Sequence, residues 1–169
     1  MKSPVLRAKT NSVDDTRRLA ACVAELARPG DLILLAGELG AGKTAFVQGF
    51  GAALGVPDRI TSPTFTLAAH YEGRVPLHHL DVYRLEQLAE VLDTGIPELL
   101  DEGGVTLVEW GDAILPALPP DYLEIRLLFG LADDDRTLDL VPVGHRWTSR
   151  IRAIRTALAP WLEEGGVPC

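Results

Sequence analysis

The stretch that decides the fold is Asp31-Leu32-Ile33-Leu34-Leu35-Ala36-Gly37-Glu38-Leu39-Gly40-Ala41-Gly42-Lys43-Thr44. Its first part, through Ala36, is an apolar run typical of a buried strand. The remainder matches the phosphate-binding loop pattern G-x-x-x-x-G-K-[ST]. The segment from Lys43 to Leu54 then places its large apolar side chains on one side, as a packed helix does. A glycine-rich turn that only connects strand and helix is the alternative, but both flanks favour a triphosphate-binding loop.

The residue types in this loop suit a triphosphate. Glycines at 37, 40 and 42 permit backbone shapes in which successive N–H groups turn toward phosphate oxygens. Lys43 can reach the β- and γ-phosphates, the Thr44 hydroxyl can coordinate Mg²⁺, and the helix N-terminus adds partial positive charge. The predicted nucleotide-binding residues of the loop are Glu38, Leu39, Gly40, Ala41, Gly42, Lys43 and Thr44.

Composition bounds the class of protein. The chain has 169 residues, of which 47% are hydrophobic and 24% charged, as expected for one globular domain with a full core. A formal net charge of −8 argues against a protein that binds nucleic acid over its whole surface. Cys22 and Cys169 have neither disulfide-framework nor metal-ligand spacing, and no leader or membrane-spanning segment is evident. We expect a cytoplasmic protein with one domain over 1–162 and a frayed tail over 163–169.

Hydrophobic patterning around the loop predicts an α/β fold. We expect a three-layer sandwich of the P-loop NTPase kind with a mixed, partly parallel sheet. Four helices are predicted. The first begins after a Ser12 cap and runs to Arg28, and the others are Lys43 to Leu54, Leu85 to Leu92, and a C-terminal helix with an apolar stripe from Trp147 to Leu162. The predicted strands are Asp31–Ala36, Phe65–Tyr71, Pro76–Leu80, Val105–Val108, Tyr122–Phe129 and Arg136–Val141.

Two acids and a threonine are candidates to complete a nucleotide site. Asp81 and Glu109 each follow an apolar strand, and an acid at the carboxyl end of a strand beside the loop can face the metal and its waters. Thr64 follows the loop helix, where a hydroxyl can sense the γ-phosphate through Mg²⁺. The alternatives are ordinary strand-end acids and a threonine that only begins a strand. We predict Lys43, Asp81 and Glu109 as catalytic residues, and Thr44, Asp81 and Glu109 as metal ligands.

Other polar and aromatic residues have less specific signals. Trp110 can pack over the nucleotide, although a tryptophan after an apolar strand is more often a core residue. Arginines in the C-terminal region can form a basic face, but such arginines are usually solvated, and we favour that interpretation. They are Arg126, Arg136, Arg146, Arg150, Arg152 and Arg155. Asn11 is the only asparagine and precedes the loop, so the N-K-x-D segment that recognises guanine is absent and ATP is favoured.

Four blocks of this chain resemble the bacterial TsaE (YjeE) family, the small ATPases of tRNA threonylcarbamoyladenosine synthesis. Their order and spacing match between about Asp31 and Asp112. The blocks are the loop at 37–44, Thr61-Ser62-Pro63-Thr64-Phe65-Thr66-Leu67, His79-Leu80-Asp81-Val82-Tyr83-Arg84-Leu85, and Val108-Glu109-Trp110-Gly111-Asp112. The second and third blocks are specific in a way that the loop alone is not.

The resemblance implies a Mg²⁺–ATP site in which Lys43 and Thr44 hold phosphates and metal, and Asp81 and Glu109 serve the metal and the attacking water. It further implies that Thr64 belongs to a switch-like segment and that Trp110 lies close to the nucleotide. The implied partners are TsaB and TsaD, the transferase pair that modifies the adenosine beside the anticodon. The tRNA would be held mainly by those partners, and ATP hydrolysis would reset the complex between turnovers.

Two rival functions use the same loop. A small-molecule kinase would transfer the γ-phosphate to an acceptor, but it needs a water-excluding lid that the sequence does not clearly supply. A nucleotide-sensing module would bind without turnover. With no obvious arginine finger near the loop, apart from Arg84 as one possibility in cis, the isolated chain should hydrolyse ATP slowly.

Overall fold

The structure is a computed structural model that describes residues 6–63, 68–82, 98, 102–109, 115 and 118–163. Within these ranges, seven strands form one mixed sheet. The strands are β1 Leu6–Thr10, β2 Leu32–Gly37, β3 Ala68–Tyr71, β4 Leu77–Asp81, β5 Val105–Glu109, β6 Tyr122–Phe129 and β7 Arg136–Val143. The predicted α/β class and partly parallel sheet are confirmed.

The strand order is β1-β7-β6-β2-β5-β4-β3. The four central strands, β6, β2, β5 and β4, run parallel. Strands β7 and β3 pair antiparallel with β6 and β4, and β1 pairs antiparallel with β7. Parallel strands end at the same edge of the sheet, so Gly37, Asp81 and Glu109 are brought together at the carboxyl ends of β2, β4 and β5. The topology thus builds a crevice around the loop.

Two longer helices, α1 (Val13–Glu25) and α2 (Lys43–Ala53), pack together on one face of the sheet. As predicted, the Ser12 hydroxyl caps α1 by accepting from the Asp15 N–H at 3.0 Å. The Asp15 carboxylate reaches back to the Asn11 N–H at 3.1 Å, which completes a reciprocal cap. The other face carries a smaller apolar cluster around Leu32, Leu34, Leu80 and Val108.

The predicted end of the first helix and the predicted single C-terminal helix were wrong, and one strand was not predicted. Helix α1 ends at Glu25, three residues before Arg28, and the Asp31 carboxylate accepts from the Arg28 N–H at 2.6 Å in the following turn. The C-terminal stripe forms two short helices, α3 (His145–Thr148) and α4 (Ile151–Ala157), followed by a 3₁₀ turn. Strand β1 alternates buried and exposed residues, a period-2 pattern in Leu6–Thr10 that was present in the sequence.

The break between α3 and α4 has a local cause. The Arg146 carbonyl, which a continuous helix would offer to the Arg150 N–H, accepts instead from the Ser149 hydroxyl at 2.8 Å and from Arg150 Nε at 3.1 Å. The Arg150 N–H bonds to the Trp147 carbonyl, three residues back. Trp147, Ile154 and Leu158 are nevertheless fully buried, so the predicted docking of the apolar stripe is confirmed although its continuity is not.

Arg150 is not a solvated arginine. Its side chain is 6% exposed and bonds both oxygens of the fully buried Asp31 carboxylate at 2.6 Å. The guanidinium also stacks on Trp147 at 4.1 Å from the ring centroid and donates to the Leu26 carbonyl. The preference for solvation was therefore wrong at this position, because the sequence does not reveal that a buried acid precedes β2. Arg152 and Arg155 are exposed, as expected.

Several predictions fall outside the described residues. These are the strand residues Phe65–Leu67, the helix Leu85 to Leu92, and the tail beyond Glu163. Glu163 itself donates its N–H to the Arg7 carbonyl. Among the described residues, no helix has both the length and the apolar character needed to cross a bilayer.

A histidine pair on the β3–β4 hairpin predicts a pH dependence of stability. His70 and His78 lie opposite each other with their Nδ1 atoms 2.7 Å apart, and Glu72 and Glu102 are the nearby acids. Burial lowers the pKa of His78 below its usual value of about 6.5, and the charge of His70 lowers it further against the opposing effect of the two glutamates. The unfolded chain therefore takes up a proton that the folded chain resists. We therefore expect the neutral His78 to leave the free energy of unfolding at its full value above about pH 6.5. That free energy should decline as the pH falls below this value.

The check is urea unfolding of wild-type protein and of His78→Asn at about pH 7.5 and about pH 5.5. The loss of unfolding free energy on acidification should be smaller in the variant. Comparing losses subtracts the other groups that titrate in this range. An equal or larger loss in the variant would show that His78 does not resist protonation.

Candidate active site

The phosphate-binding loop runs from the end of β2 to the start of α2. At Gly37, a Cβ would lie 2.7 Å from the Leu127 carbonyl oxygen of β6, so only glycine allows the strand to turn there. Gly42 caps α2 with φ +108°, a left-handed conformation that side chains disfavour. The loop is thus shaped by the neighbouring strand on one side and by the helix on the other.

Lys43, the first residue of α2, folds back over the loop. Its Nζ donates to the Gly37 carbonyl at 2.6 Å and to the Glu38 carbonyl at 3.0 Å. Burial lowers the pKa of the Lys43 ammonium, while Glu109 and Asp81 oppose that shift. A cation in this position, held by carbonyl oxygens beside two acids, is available to an incoming polyanion without leaving the crevice.

Glu109 joins α2 to the carboxyl end of β5. Its Oε1 accepts from the Thr44 hydroxyl at 3.0 Å and lies 2.9 Å from His79 Nε2. His79 is fully buried and Glu109 nearly so, and both lie on the face of the sheet that carries α2. The three side chains form a short line from helix to strand that fixes the direction of the carboxylate.

Asp81 lies directly beside Glu109 because the register of β4 and β5 pairs these two residues. Its Oδ2 accepts from the Ser62 hydroxyl at 2.7 Å, whereas its buried Oδ1 accepts no hydrogen bond from the described residues. Burial raises the pKa of Asp81, and the charge of Glu109 raises it further against the opposing effects of Ser62, His79 and Lys43. Two acids held side by side with an unsatisfied oxygen are unfavourable without a cation.

These residues fit a magnesium ion and a triphosphate. Mg²⁺ prefers oxygen ligands and binds through one or two carboxylates plus phosphate oxygens. The Thr44 hydroxyl, the Glu109 carboxylate and the unsatisfied Asp81 oxygen supply ligands of that type at one edge of the sheet. The glycine-shaped loop and Lys43 lie beside them.

The structure brings together four of the residues predicted from sequence. Lys43, Thr44, Asp81 and Glu109 lie close together, and the loop residues Glu38–Gly42 precede Lys43 in the chain, with Leu39 exposed to solvent and Ala41 buried. Thr64, Trp110 and Arg84 lie outside the described residues. The roles assigned to all of these residues remain predictions.

Two site residues were not assigned a role from sequence. His79 and Ser62 were named only as members of two of the sequence blocks that carry the family resemblance. The signal for His79 was present: His79 and Asp81 are two residues apart on one strand, so they share a face with each other. The partner of Ser62 was not visible, because it depends on how a loop folds over β4.

Comparisons with known proteins show the family of this chain. The family model described as "Threonylcarbamoyl adenosine biosynthesis protein TsaE" matches residues 10–137. The chain belongs to the TsaE family. A TsaE relative from Bacillus subtilis (strain 168), named as a tRNA threonylcarbamoyladenosine biosynthesis protein, is 41% identical over 143 residues, covering 84% of this chain and 89% of the relative. One from Treponema pallidum (strain Nichols) is 42% identical over 133 residues, covering 79% and 98%.

A solved structure shows the same fold. The crystal structure of Bacillus subtilis YdiB superposes with a TM-score of 0.78 at 34% identity, covering 89% of this chain and 94% of that one. This likeness confirms the P-loop NTPase-like architecture. Membership of the TsaE family places the chain in tRNA threonylcarbamoyladenosine biosynthesis.

Proposed function

We propose that this chain is the Mg²⁺-dependent ATPase subunit of the threonylcarbamoyl modification of tRNA. The observation that carries the proposal is the convergence of Lys43, Thr44, Asp81 and Glu109 on one crevice beside the phosphate-binding loop. A chain that only bound a nucleotide would need the loop and the lysine. The paired acids support a site that also handles a metal and a water molecule.

Binding would use the loop and the start of α2. Backbone N–H groups of the loop would donate to the phosphates of a bound nucleotide, and the helix N-terminus would add favourable potential. Lys43 would exchange its two carbonyl partners for phosphate oxygens, a small movement because its ammonium is already inside the crevice. Mg²⁺, held by Thr44 and the acids, would neutralise the charge that develops on the phosphates.

Hydrolysis would depend on a carboxylate whose orientation is fixed by its hydrogen-bond partners. Glu109 is the better placed acid to orient a water molecule and accept its proton, because His79 and Thr44 fix its Oε1 while Oε2 makes neither of these bonds. His79 would act through Glu109 as a positioning residue. Asp81, turned by Ser62, would serve chiefly the metal and its water ligands.

Partner proteins would complete the site. We propose TsaB and TsaD as those partners, with the tRNA held mainly by them, in keeping with the net charge of −8. Hydrolysis would reset the transferase between turnovers. Within the described residues, Arg136 contacts the loop, but its guanidinium donates to loop carbonyls and is therefore not placed as an arginine finger. We expect slow turnover by the isolated chain and acceleration by the partners.

The test is binding and turnover of labelled ATP. Wild-type protein should bind Mg²⁺–ATP and release free phosphate, whereas a phosphorylated metabolite in cell extract would indicate a kinase.

Lys43→Ala should weaken ATP binding about 10- to 100-fold, since a hydrogen bond to a charged group contributes about 1.5–3 kcal/mol. The variant should still melt cooperatively. Lys9→Ala, at an exposed lysine on β1, is the matched control and should bind as wild type does. Equal affinities for all three proteins would refute the site.

A further inference from the structure

Arg136, at the start of β7, reaches across to the phosphate-binding loop. Its Nε donates to the Ala41 carbonyl at 3.0 Å and its Nη2 to the Gly40 carbonyl at 3.3 Å. Its Nη1 donates to the carbonyls of Asp133 and Asp135 at 2.7 and 2.8 Å. The guanidinium therefore clamps two loop segments through backbone oxygens.

The aromatic ring of Phe129 holds this arginine in place from one side. Phe129 is the cross-strand partner of Arg136 in the β6–β7 pair, and the guanidinium carbon lies 4.8 Å from the ring centroid. Thr10 of β1 is its partner on the other side. A guanidinium on a paired strand, stacked on a ring and bonded to four carbonyls, has little freedom left.

The direction of the loop carbonyls determines the direction of its N–H groups. A peptide unit is planar and trans, so the C=O of one residue and the N–H of the next point in opposite directions. The carbonyl of Ala41 belongs to the same peptide unit as the N–H of Gly42. By drawing that carbonyl outward, Arg136 turns the Gly42 N–H to the opposite side. Gly42 is the residue whose left-handed conformation opens α2.

We propose that Arg136 is a positioning residue that presets the phosphate-binding loop for the nucleotide. It acts from behind the loop and touches no phosphate. The proposal rests on the proposed function for its ligand, because a preset loop matters only if a phosphate chain binds there. It replaces both interpretations of Arg136 from sequence, as part of a basic face and as the favoured solvated arginine.

Direct contact with the phosphates is the competing role for an arginine at this position. The contacts argue against it, because four of the guanidinium N–H groups already donate to carbonyl oxygens. An arginine that reached a phosphate would have to release the Gly40 and Ala41 carbonyls, and the loop would lose its support at the moment of binding. The planar fork also matters, because a lysine ammonium cannot span the same set of acceptors.

The experiment compares Arg136→Gln and Arg136→Lys with wild-type protein and with Arg7→Gln. Arg7 is a half-exposed strand arginine whose guanidinium donates to both oxygens of Asp139. Within the described residues its side chain makes no hydrogen bond to the loop, so it controls for a general loss of strand stability. Affinities for ATP and ADP are measured by titration, with and without Mg²⁺. Hydrogen exchange of the backbone amides of residues 40–44 is measured without nucleotide.

We expect Arg136→Gln to weaken ATP and ADP about tenfold or more and by similar factors, with or without Mg²⁺, because the loop serves the phosphates common to both. Exchange of the loop amides should rise in the nucleotide-free variant. Arg136→Lys should recover at most a small part of the affinity, and Arg7→Gln should bind as wild type does.

Three results would overturn the inference. One is binding by Arg136→Gln within twofold of wild type, with unchanged exchange. Another is a loss confined to ATP, which would place Arg136 on the γ-phosphate itself. The third is full recovery in Arg136→Lys, which would show that charge alone is sufficient. Failure of wild-type protein to bind either nucleotide would instead refute the proposed function, and the exchange measurement would still report whether Arg136 orders the loop.

Discussion

Replacing Glu109 with glutamine should abolish most ATP turnover while leaving nucleotide binding largely intact. Glutamine keeps the volume and one oxygen for Thr44 and His79, but it cannot take a proton from water. Loss of a general base costs about 10²- to 10⁴-fold in rate, so we expect at least about a 100-fold fall in phosphate release. The measurement is single-turnover hydrolysis with the partner proteins present, alongside ATP affinity by titration.

The matched control is Glu124→Gln on β6. Glu124 is a partly buried carboxylate of the same sheet that pairs with Arg126. This variant should hydrolyse ATP at nearly the wild-type rate. If Glu109→Gln turned over as fast as wild type, Glu109 would not be the base, and Asp81 would be the next acid to test. If it lost binding to the same extent as Lys43→Ala, its main role would be in the metal site.

Replacing Arg150 with methionine should strongly destabilise the fold. Asp31 is fully buried, and Arg150 bonds both of its oxygens. Methionine fills part of the space but leaves a buried carboxylate whose remaining cation, Arg146, is 42% exposed and 3.2 Å away. Removing one partner of a buried ion pair costs about 3–5 kcal/mol, so we expect a loss of that order in the free energy of unfolding. Urea unfolding at neutral pH measures it.

Arg146→Met provides the comparison, because it removes the more exposed of the two arginines bound to the same acid. Partly exposed ion pairs contribute about 0–1 kcal/mol, so its effect should be small. A loss in Arg150→Met no greater than that in Arg146→Met would mean that the buried pair does not hold the C-terminal helices. The predicted effect would then be wrong.

The central parallel strands and the loop were predictable because their signals are local. An apolar run, a glycine pattern and an amphipathic helix follow one another along the chain, and the acids at 81 and 109 mark the strand ends. Their meeting in one crevice follows from the rule that parallel strands share a carboxyl edge. The β6–β7 hairpin was predictable for the same reason, since its strands flank an acidic turn.

The roles of Arg136, Arg150 and His79 depend on distant partners. Arg136 meets a loop 95 residues away, Arg150 meets an acid 119 residues away, and His79 meets a glutamate 30 residues away. Nothing in the local pattern separates such a residue from a solvated one. One of the two side chains that bond the Arg146 carbonyl at the break between α3 and α4, Arg150, is also the one bound to Asp31.

The pairing of the first strand with the last bears on the order of events during synthesis. Among the described strands, β1 pairs with β7 alone, and the buried Asp31 carboxylate is paired with Arg150. A nascent chain emerging from the ribosome therefore cannot close its sheet or pair that acid with Arg150 until synthesis has passed residue 150. We expect shortened chains that stop before residue 150 to be chaperone clients or protease substrates.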